Sequence, residues 1–221
     1  MNRKRRPAKR LDDEAGTNAG RDTDLRIIGG HFRGRKLRYH GDPIVRPMKH
    51  RVREAIFNLI STESTGRHAI DLFAGTGALG LEAISRGAER ATFIERHVPT
   101  AEVLQENIDT LGLADKTTLL NTSAFLWAKR DLAAFAADTA LAGMPWLVFC
   151  SPPYAFFVDR QGEMLELIDL LKRSSTPGST LVIEADERFD MQRLMEDNNW
   201  TWDVRVYPPA VVSIGRRIQR E

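Results

Sequence analysis

Cysteine is nearly absent from this chain of 221 residues, with Cys150 as its single example. One cysteine excludes an internal disulfide and fits a reducing compartment, so we expect a cytoplasmic protein. No apolar run approaches the ~20 residues of a membrane span, and no apolar segment follows the basic N-terminus as it would in a signal peptide. The five histidines are scattered, without a local metal-ligand pattern. We therefore predict no membrane segment and no metal.

Acidic residues are scarce between Leu25 and Arg53, where Asp42 is the single acid among nine basic residues, although the net charge of the chain is only +2. A charge run of one sign is often just a solvated surface. With the aromatic residues Phe32 and Tyr39 interleaved, the segment favours phosphate contacts to RNA instead. The candidate RNA contacts are Arg26, Arg33, Arg35, Lys36, Arg46, Arg51 and Arg53.

Apolar residues are almost missing from the first 24 positions, which begin with a basic cluster and continue with acids. Such a segment cannot bury enough surface to fold, so residues 1–24 are predicted to be a disordered basic tail. The rest is predicted to divide into an RNA-binding hairpin and helix over 25–62 and one larger domain over 63–221. A core of this size needs no second domain, and we expect a monomer.

A glycine loop stands out in the sequence 71–80, DLFAGTGALG. Gly75 and Gly77 can take positive φ and let backbone N–H groups approach a ligand where a helix begins. The same glycine spacing occurs in ordinary tight turns and in dinucleotide folds, but a carboxylate at Asp71 would repel a pyrophosphate. The acid favours a cationic ligand such as S-adenosylmethionine.

A second motif, Ser151-Pro152-Pro153-Tyr154, follows the apolar run Trp146–Cys150. The prolines end the predicted strand and leave carbonyl groups pointing into the crevice above the sheet. A hydroxyl, free carbonyls and an aromatic ring suit the exocyclic amine of a planar base. A plain proline turn at the end of a core strand is the alternative.

Hydrophobic periodicity predicts alternating strands and helices after an N-terminal hairpin (Leu25–Ile28 with Lys36–Tyr39) and a helix over Lys49–Ile60. The last two strands meet at Pro208-Pro209 and must run antiparallel, because so short a connection allows nothing else. The predicted strands are His68–Phe73, Ala91–Glu95, Thr117–Asn121, Trp146–Cys150, Thr180–Ala185, Thr201–Tyr207 and Val211–Arg217. We expect an α/β fold with a doubly wound, mostly parallel seven-stranded sheet.

These motifs, taken in order, resemble the bacterial 16S rRNA guanine-N2 methyltransferases of the RsmD type. The resemblance runs from about Arg26 to the C-terminal strands. It is carried by RIIGG (26–30), RGRKL (33–37), Arg46-Pro47, RVREAIFN (51–58) and the glycine loop continued through LEA (81–83) to SRGA (85–88). The basic hairpin and the helix ahead of the loop make it specific.

The resemblance implies a Rossmann-like class I methyltransferase that uses S-adenosyl-L-methionine and acts on 16S rRNA or the 30S subunit. Asp71 would face the methionine ammonium, Ser123 the adenine amine, and Phe73, Gly75 and Gly77 would line the pocket. Glu95 ends a strand where a carboxylate can accept both ribose hydroxyls, as in dinucleotide folds. Ser151, the carbonyl of Pro152, Pro153 and Tyr154 would hold the target guanine.

The chain departs from the RsmD pattern at three places. Ser151 stands where an aspartate or asparagine is usual, and Met48-Lys49-His50 follow Arg46-Pro47 where a helix-capping threonine is common. Arg96-His97 follow Glu95, where relatives usually carry an acid or amide two places after the glutamate. Two other functions therefore stay open. One is methylation of an adenine amine in DNA or RNA, and the other is an RNA-binding or assembly protein without activity.

Overall fold

The computed structural model describes residues 25–39, 48–139 and 143–219. The predicted tail over 1–24 and the predicted RNA contact Arg46 lie outside these residues. The strands of the sheet are β1 (His68–Asp71), β2 (Arg90–Ile94), β3 (Thr117–Leu120), β4 (Trp146–Cys150), β5 (Thr180–Asp186), β6 (Trp200–Tyr207) and β7 (Ala210–Arg217).

The seven strands lie in the order β3-β2-β1-β4-β5-β7-β6. The first five are mutually parallel, and β7 runs antiparallel to both β5 and β6. The predicted α/β architecture, mostly parallel with a closing antiparallel hairpin, is therefore confirmed.

Helices cover both faces of the sheet. They are α1 (His50–Ile60), α2 (Ala78–Ser85), α3 (Val98–Leu111), α4 (Ala124–Arg130), α5 (Leu132–Ala136), α6 (Phe156–Asp159) and α7 (Gln161–Ser174). Successive residues of a strand point to opposite faces, so Ala69 joins the core under α1 to α3 while Ile70 joins the core under α4 and α7. Because both faces are buried, β4 is apolar throughout.

Several element ends follow from local chemistry. α3 has Pro99 in its first turn and stops at Gly112, whose φ of 67° gives the left-handed cap that glycine adopts without strain. β4 has the predicted bounds, because Pro152 and Pro153 cannot continue its hydrogen bonding.

The N-terminal segment, residues 25–39, forms the predicted hairpin, with less pairing than two full strands would give. Its pairing in the described residues is a single antiparallel bridge between Arg26 and Lys36, closed by a turn over 31–34. The hairpin hydrogen bonds run from Ile27 N–H to the Arg35 carbonyl (3.0 Å) and from Leu37 N–H to the Leu25 carbonyl (2.7 Å). The segment is thus a short hairpin.

Side chains of helix α2 form hydrogen bonds with backbone groups that this hairpin leaves unpaired. The Glu82 carboxylate accepts the N–H groups of Ile28 (2.6 Å) and Gly29 (2.7 Å), and it also accepts Nε of Arg86 at 2.8 Å. The Ser85 hydroxyl donates to the Gly29 carbonyl at 2.5 Å. The N-terminal segment is therefore fixed to the helix that follows the glycine loop.

Candidate active site

The predicted site residues come together where the strand order reverses. β1 lies beside β4 at the centre of the sheet, and the chain continues to β2 and β3 on one side but to β5 on the other. Crevices of this kind, at the carboxyl ends of parallel strands, are where open α/β sheets bind ligands. Asp71, Glu95, Ser123 and Ser151 stand at or just beyond the ends of β1, β2, β3 and β4.

The glycine loop connects β1 to α2 and requires glycine for two reasons. Gly77 caps α2 with φ 79°, and a Cβ added there would lie 2.2 Å from Cδ1 of Leu104 on α3. A Cβ on Gly80 would lie 2.3 Å from the ring of Phe93 on β2. Both contacts are shorter than atoms allow, so side chains are excluded and the loop stays close to the sheet.

Asp71 is buried at the end of β1, with 1% of its surface exposed. Its Oδ2 accepts the Gly80 N–H at 3.1 Å, whereas Oδ1 is buried with no partner in the described residues. Burial raises the pKa of this carboxyl to about 7; the Gly80 bond opposes that rise and the charge of Glu95 adds to it. An unpaired buried carboxylate oxygen fits a cationic ligand group, which would stabilise the ionised form.

Glu95 follows β2 and faces the same loop. Its Oε2 accepts the Gly75 N–H at 2.9 Å and its Oε1 accepts the His97 N–H at 2.7 Å. Each carboxylate oxygen can accept a second hydrogen bond, so the group is held in place with acceptor capacity left for two hydroxyls. This geometry fits the role predicted from the sequence.

Aromatic rings and a helix start complete the crevice on the β3 side. Phe73 is half-buried and packs edge-on against Phe125 and Phe156, with ring centroids 6.0 and 6.1 Å away. Ser123 is the N-cap residue of α4, but its side chain makes no capping bond. A planar apolar group and a hydroxyl near a helix N-terminus suit an adenosine.

The Ser151–Tyr154 motif meets a residue that the sequence analysis missed, Glu184 on β5. The Ser151 hydroxyl donates to Oε2 of Glu184, and the Tyr154 hydroxyl donates to Oε1 at 2.7 Å. Burial, followed by the Glu184 hydrogen bond and charge, raises the pKa of the Tyr154 phenol above its ordinary value. A carboxylate inside an apolar strand was the signal available in the sequence, since unpaired acids are rarely buried.

Most of the predicted RNA contacts lie on the surface of the N-terminal segment and α1. We call the exposed residues Arg33, Arg35, Lys36 and Arg51 the basic surface. Arg26 is half-buried, and its guanidinium donates to the Gly34 carbonyl at 2.9 Å. No structural observation tests whether these residues contact RNA, so that role stays a prediction.

Arg53 requires a correction, because its side chain is buried with 1% exposure. Its Nη2 donates to the Arg26 carbonyl at 2.6 Å, and burial lowers the pKa of its guanidinium. A phosphate cannot reach this group in the described conformation. Arg53 joins α1 to the N-terminal segment, so the structure does not support it as an RNA contact.

Within residues 25–39, 48–139 and 143–219, no helix has the length and apolar character needed to cross a membrane. The same residues hold no cluster of three or more histidine, cysteine or acidic side chains suited to a metal ion.

Several known proteins are similar to this chain in sequence and fold over most of its length. Ribosomal RNA small subunit methyltransferase D of Escherichia coli (strain K12) is 34% identical over 178 residues, which are 80% of this chain and 81% of that protein. Putative rRNA methyltransferase YlbH of Bacillus subtilis (strain 168) is 32% identical over 174 residues, or 78% of this chain and 89% of that protein. The solved structure of putative methyltransferase yhhF from Escherichia coli superposes with a TM-score of 0.67 and 30% identity, covering 89% of this chain and 99% of that one.

The fold and the crevice define an S-adenosylmethionine-dependent methyltransferase of class I. Residues 25–205 match the model of the family described as Conserved hypothetical protein 95, and the chain belongs to that family. The predicted family resemblance, fold class and cofactor are thereby confirmed.

Proposed function

We propose that this chain transfers a methyl group from S-adenosylmethionine to the exocyclic N2 amine of a guanine in 16S rRNA of the small ribosomal subunit. The observation that carries the proposal is the convergence of the glycine loop with the Ser151–Tyr154 motif at adjacent strand ends, β1 and β4. The names of the relatives support an rRNA substrate. The choice of the guanine amine comes from the RsmD-type motifs in the sequence.

The crevice offers a complementary group to each part of the cofactor. Asp71 faces the methionine ammonium through water or directly, with Oδ1 as the oxygen that has no partner among the described residues, and Gly75 and Gly77 let backbone approach the ligand. Glu95 accepts from the ribose hydroxyls. Phe73 and Ser123 contact the adenine, the first through its ring and the second through its hydroxyl.

The Ser151–Tyr154 motif, which we call the acceptor motif, holds the nucleotide. The side chain of Tyr154 is half-buried and stacks on the base, while Ser151 and the Pro152 carbonyl accept from the amine; Pro153 fixes the turn. The bound cofactor supplies a methyl group on a sulfonium, which is a good leaving group. The protein therefore needs mainly to align the amine with that carbon and to exclude water.

Mass spectrometry of nucleosides tests the proposal directly. Purified protein with cofactor is incubated with unmethylated 30S subunits, naked 16S rRNA or duplex DNA, and the products are digested. We expect N2-methylguanosine from the ribosomal substrates and no methylated nucleoside from DNA. N6-methyladenosine from RNA or N6-methyl-2′-deoxyadenosine from DNA would assign the adenine alternative, and cofactor binding without transfer to any substrate would assign the inactive RNA-binding alternative.

A further inference from the structure

Glu184 is the buried acid that the proposed roles have not yet used. It lies in β5 between Ile183 and Ala185, with 5% of its surface exposed. The parallel register pairs Cys150 with Ile183, which brings Ser151 and Glu184 side by side just beyond the last paired residues. The neighbouring strand β5 thus places the Glu184 carboxylate beside the acceptor motif.

The contacts of Glu184 are specialised for this motif. One oxygen accepts the Ser151 hydroxyl and the other accepts the Tyr154 hydroxyl at 2.7 Å. Among the described residues, no lysine or arginine forms an ion pair with it. Burying an ionised carboxylate with only two neutral donors is costly, so an acid at this place has no evident value for stability alone.

The direction of the Ser151 hydrogen bond fixes what the hydroxyl can offer. Its proton is directed at Glu184, so the lone pairs of Oγ are left to accept from a donor in the crevice. A hydroxyl that donates to a carboxylate is polarised and becomes a stronger acceptor itself. Ser151 and Glu184 together therefore act as a carboxylate acceptor. The carboxylate lies one hydroxyl group further from the base than the carboxylate of an aspartate at position 151 would.

We propose that Glu184 is a positioning residue for methyl transfer, which it serves by holding and polarising Ser151 and by fixing Tyr154. The inference rests on the proposed function. As the amine lone pair forms the new N–C bond, the C–S electron pair leaves with sulfur and the nitrogen becomes positive. One amine proton then passes to Oγ of Ser151 while the Ser151 proton passes to Oε2 of Glu184. The charges balance, and the neutral carboxylic acid afterwards returns its proton to water.

The decisive comparison is between a variant that deletes the carboxylate and a double variant that moves it to position 151. Glu184→Gln keeps the shape but removes the charge, and we expect the single-turnover rate on 30S subunits to fall about a hundredfold, as for the loss of a general base. Ser151→Asp alone places two carboxylates side by side and should also be slow. The double variant Ser151→Asp with Glu184→Gln restores one carboxylate, and its rate should exceed that of Glu184→Gln by at least about tenfold.

Asp186→Asn is the matched control. Asp186 lies two residues along β5, on the same face, and its carboxylate pairs with Arg188 at 2.7 Å instead of the motif. The Asp186→Asn variant carries the same change of charge as Glu184→Gln. Because Asp186 forms no hydrogen bond with the motif, the rate of this variant should stay within about threefold of that of the unmodified protein. Calorimetry should give equal affinity for S-adenosylhomocysteine in all variants, which separates positioning of the base from cofactor binding.

A second readout requires no turnover. The chain has three tyrosines, and the ultraviolet signal of tyrosinate reports their ionisation. With Glu184→Gln, Tyr154 should ionise at lower pH than in the unmodified protein, because the negative charge that opposes its ionisation is gone. Tyr154→Phe identifies which transition belongs to this residue.

The outcomes separate the inference from the proposed function. An unmodified protein that methylates guanine, together with a Glu184→Gln rate within threefold of it, overturns the role of Glu184 alone. So does a double variant no faster than Glu184→Gln. If the unmodified protein transfers no methyl group, the proposed function fails and the inference falls with it. Should Glu184→Gln unfold in thermal melts, Glu184→Asp takes its place: a loss of about tenfold supports the role, and an unchanged rate refutes it.

Discussion

The ionisation of Asp71 makes the free energy of unfolding depend on pH. Its folded pKa of about 7 lies above the ordinary value of 3.8 because the carboxyl is buried. Between these values the folded protein keeps a proton that the unfolded chain releases. The free energy of unfolding is therefore highest, as far as this group is concerned, below pH about 4 and falls as the pH rises to about 7.

Asp71→Asn removes this dependence. We expect the variant to gain stability relative to the unmodified protein as the pH rises from about 4 to 7, by at most about 1.4 kcal/mol per pH unit. Urea unfolding without ligand at several pH values measures the difference. Asp115→Asn, at an exposed acid, is the control and should show no such trend.

The same carboxyl should make cofactor binding depend on pH in the opposite sense. A ligand ammonium binds the ionised form, so the affinity for S-adenosylhomocysteine should rise with pH by up to about tenfold per unit below pH about 7 and then level off. In Asp71→Asn the profile should be flat and the affinity lower. A flat profile in the unmodified protein would contradict the placement of the ammonium at Asp71.

At the scale of elements, α3 joins the N-terminal segment to the glycine loop through one amide. Oδ1 of Asn107 accepts the Arg38 N–H at 2.6 Å, and Nδ2 donates to the carbonyls of Arg38 (3.2 Å) and Thr76 (3.1 Å). Asn107 is buried, and its bond to the Thr76 carbonyl is shielded from water, whereas its two bonds to Arg38 are partly buried. The segment proposed to contact RNA and the loop proposed to contact the cofactor therefore share a support.

Asn107→Ala tests this link. It removes the partner of the buried Thr76 carbonyl and of the partly buried Arg38 N–H and carbonyl, which should lower the free energy of unfolding by ~1–3 kcal/mol. Because both elements lose the same support, the affinities for S-adenosylhomocysteine and for 16S rRNA should fall together. Gln105→Ala is the control, since the Gln105 amide bonds Asp109 on the exposed face of the same helix. Weakened RNA binding with unchanged cofactor binding would show that the two elements are independent.

Local signals were sufficient to predict most elements from the sequence. The apolar run Trp146–Cys150 and the two prolines after it gave β4 its bounds, and Gly112 gave the end of α3. These features depend on chemistry within a few residues. The positions of Asp71, Glu95 and Ser151 at strand ends followed from the same alternation of strands and helices.

Features set by tertiary contacts could not be read in this way. Glu184 meets Ser151 only because β4 and β5 are neighbours in a given register, and the two residues are 33 positions apart. Arg53 sits on a basic helix that looks exposed in the sequence, yet its guanidinium is buried against the Arg26 backbone. Periodicity does not show which helix face a separate segment will cover.

At the scale of the whole molecule, basic and acidic side chains occupy separate places. The basic surface lies on the N-terminal segment and α1, and that segment is fixed to α2, which starts at the glycine loop. Acidic side chains lie near the carboxyl ends of the parallel strands, where Asp71 accepts from Gly80, Glu95 from Gly75 and Glu184 from Ser151. From this separation we predict that an anionic RNA backbone is attracted to the basic surface, and that positive charge developing on sulfur or nitrogen is stabilised beside the acids.

The salt dependence of RNA binding tests this arrangement. If Arg33 and Arg35 each neutralise a phosphate, replacing both with glutamine should reduce the slope of log affinity against log salt by ~0.7–0.9 per contact. Cofactor affinity should not change, since neither side chain lies in the crevice. Arg173→Gln with Arg205→Gln removes the same charge from exposed sites on α7 and β6 and should leave the slope nearly unchanged. Equal slopes for the two double variants would mean that only net charge matters and that the basic surface makes no direct phosphate contacts.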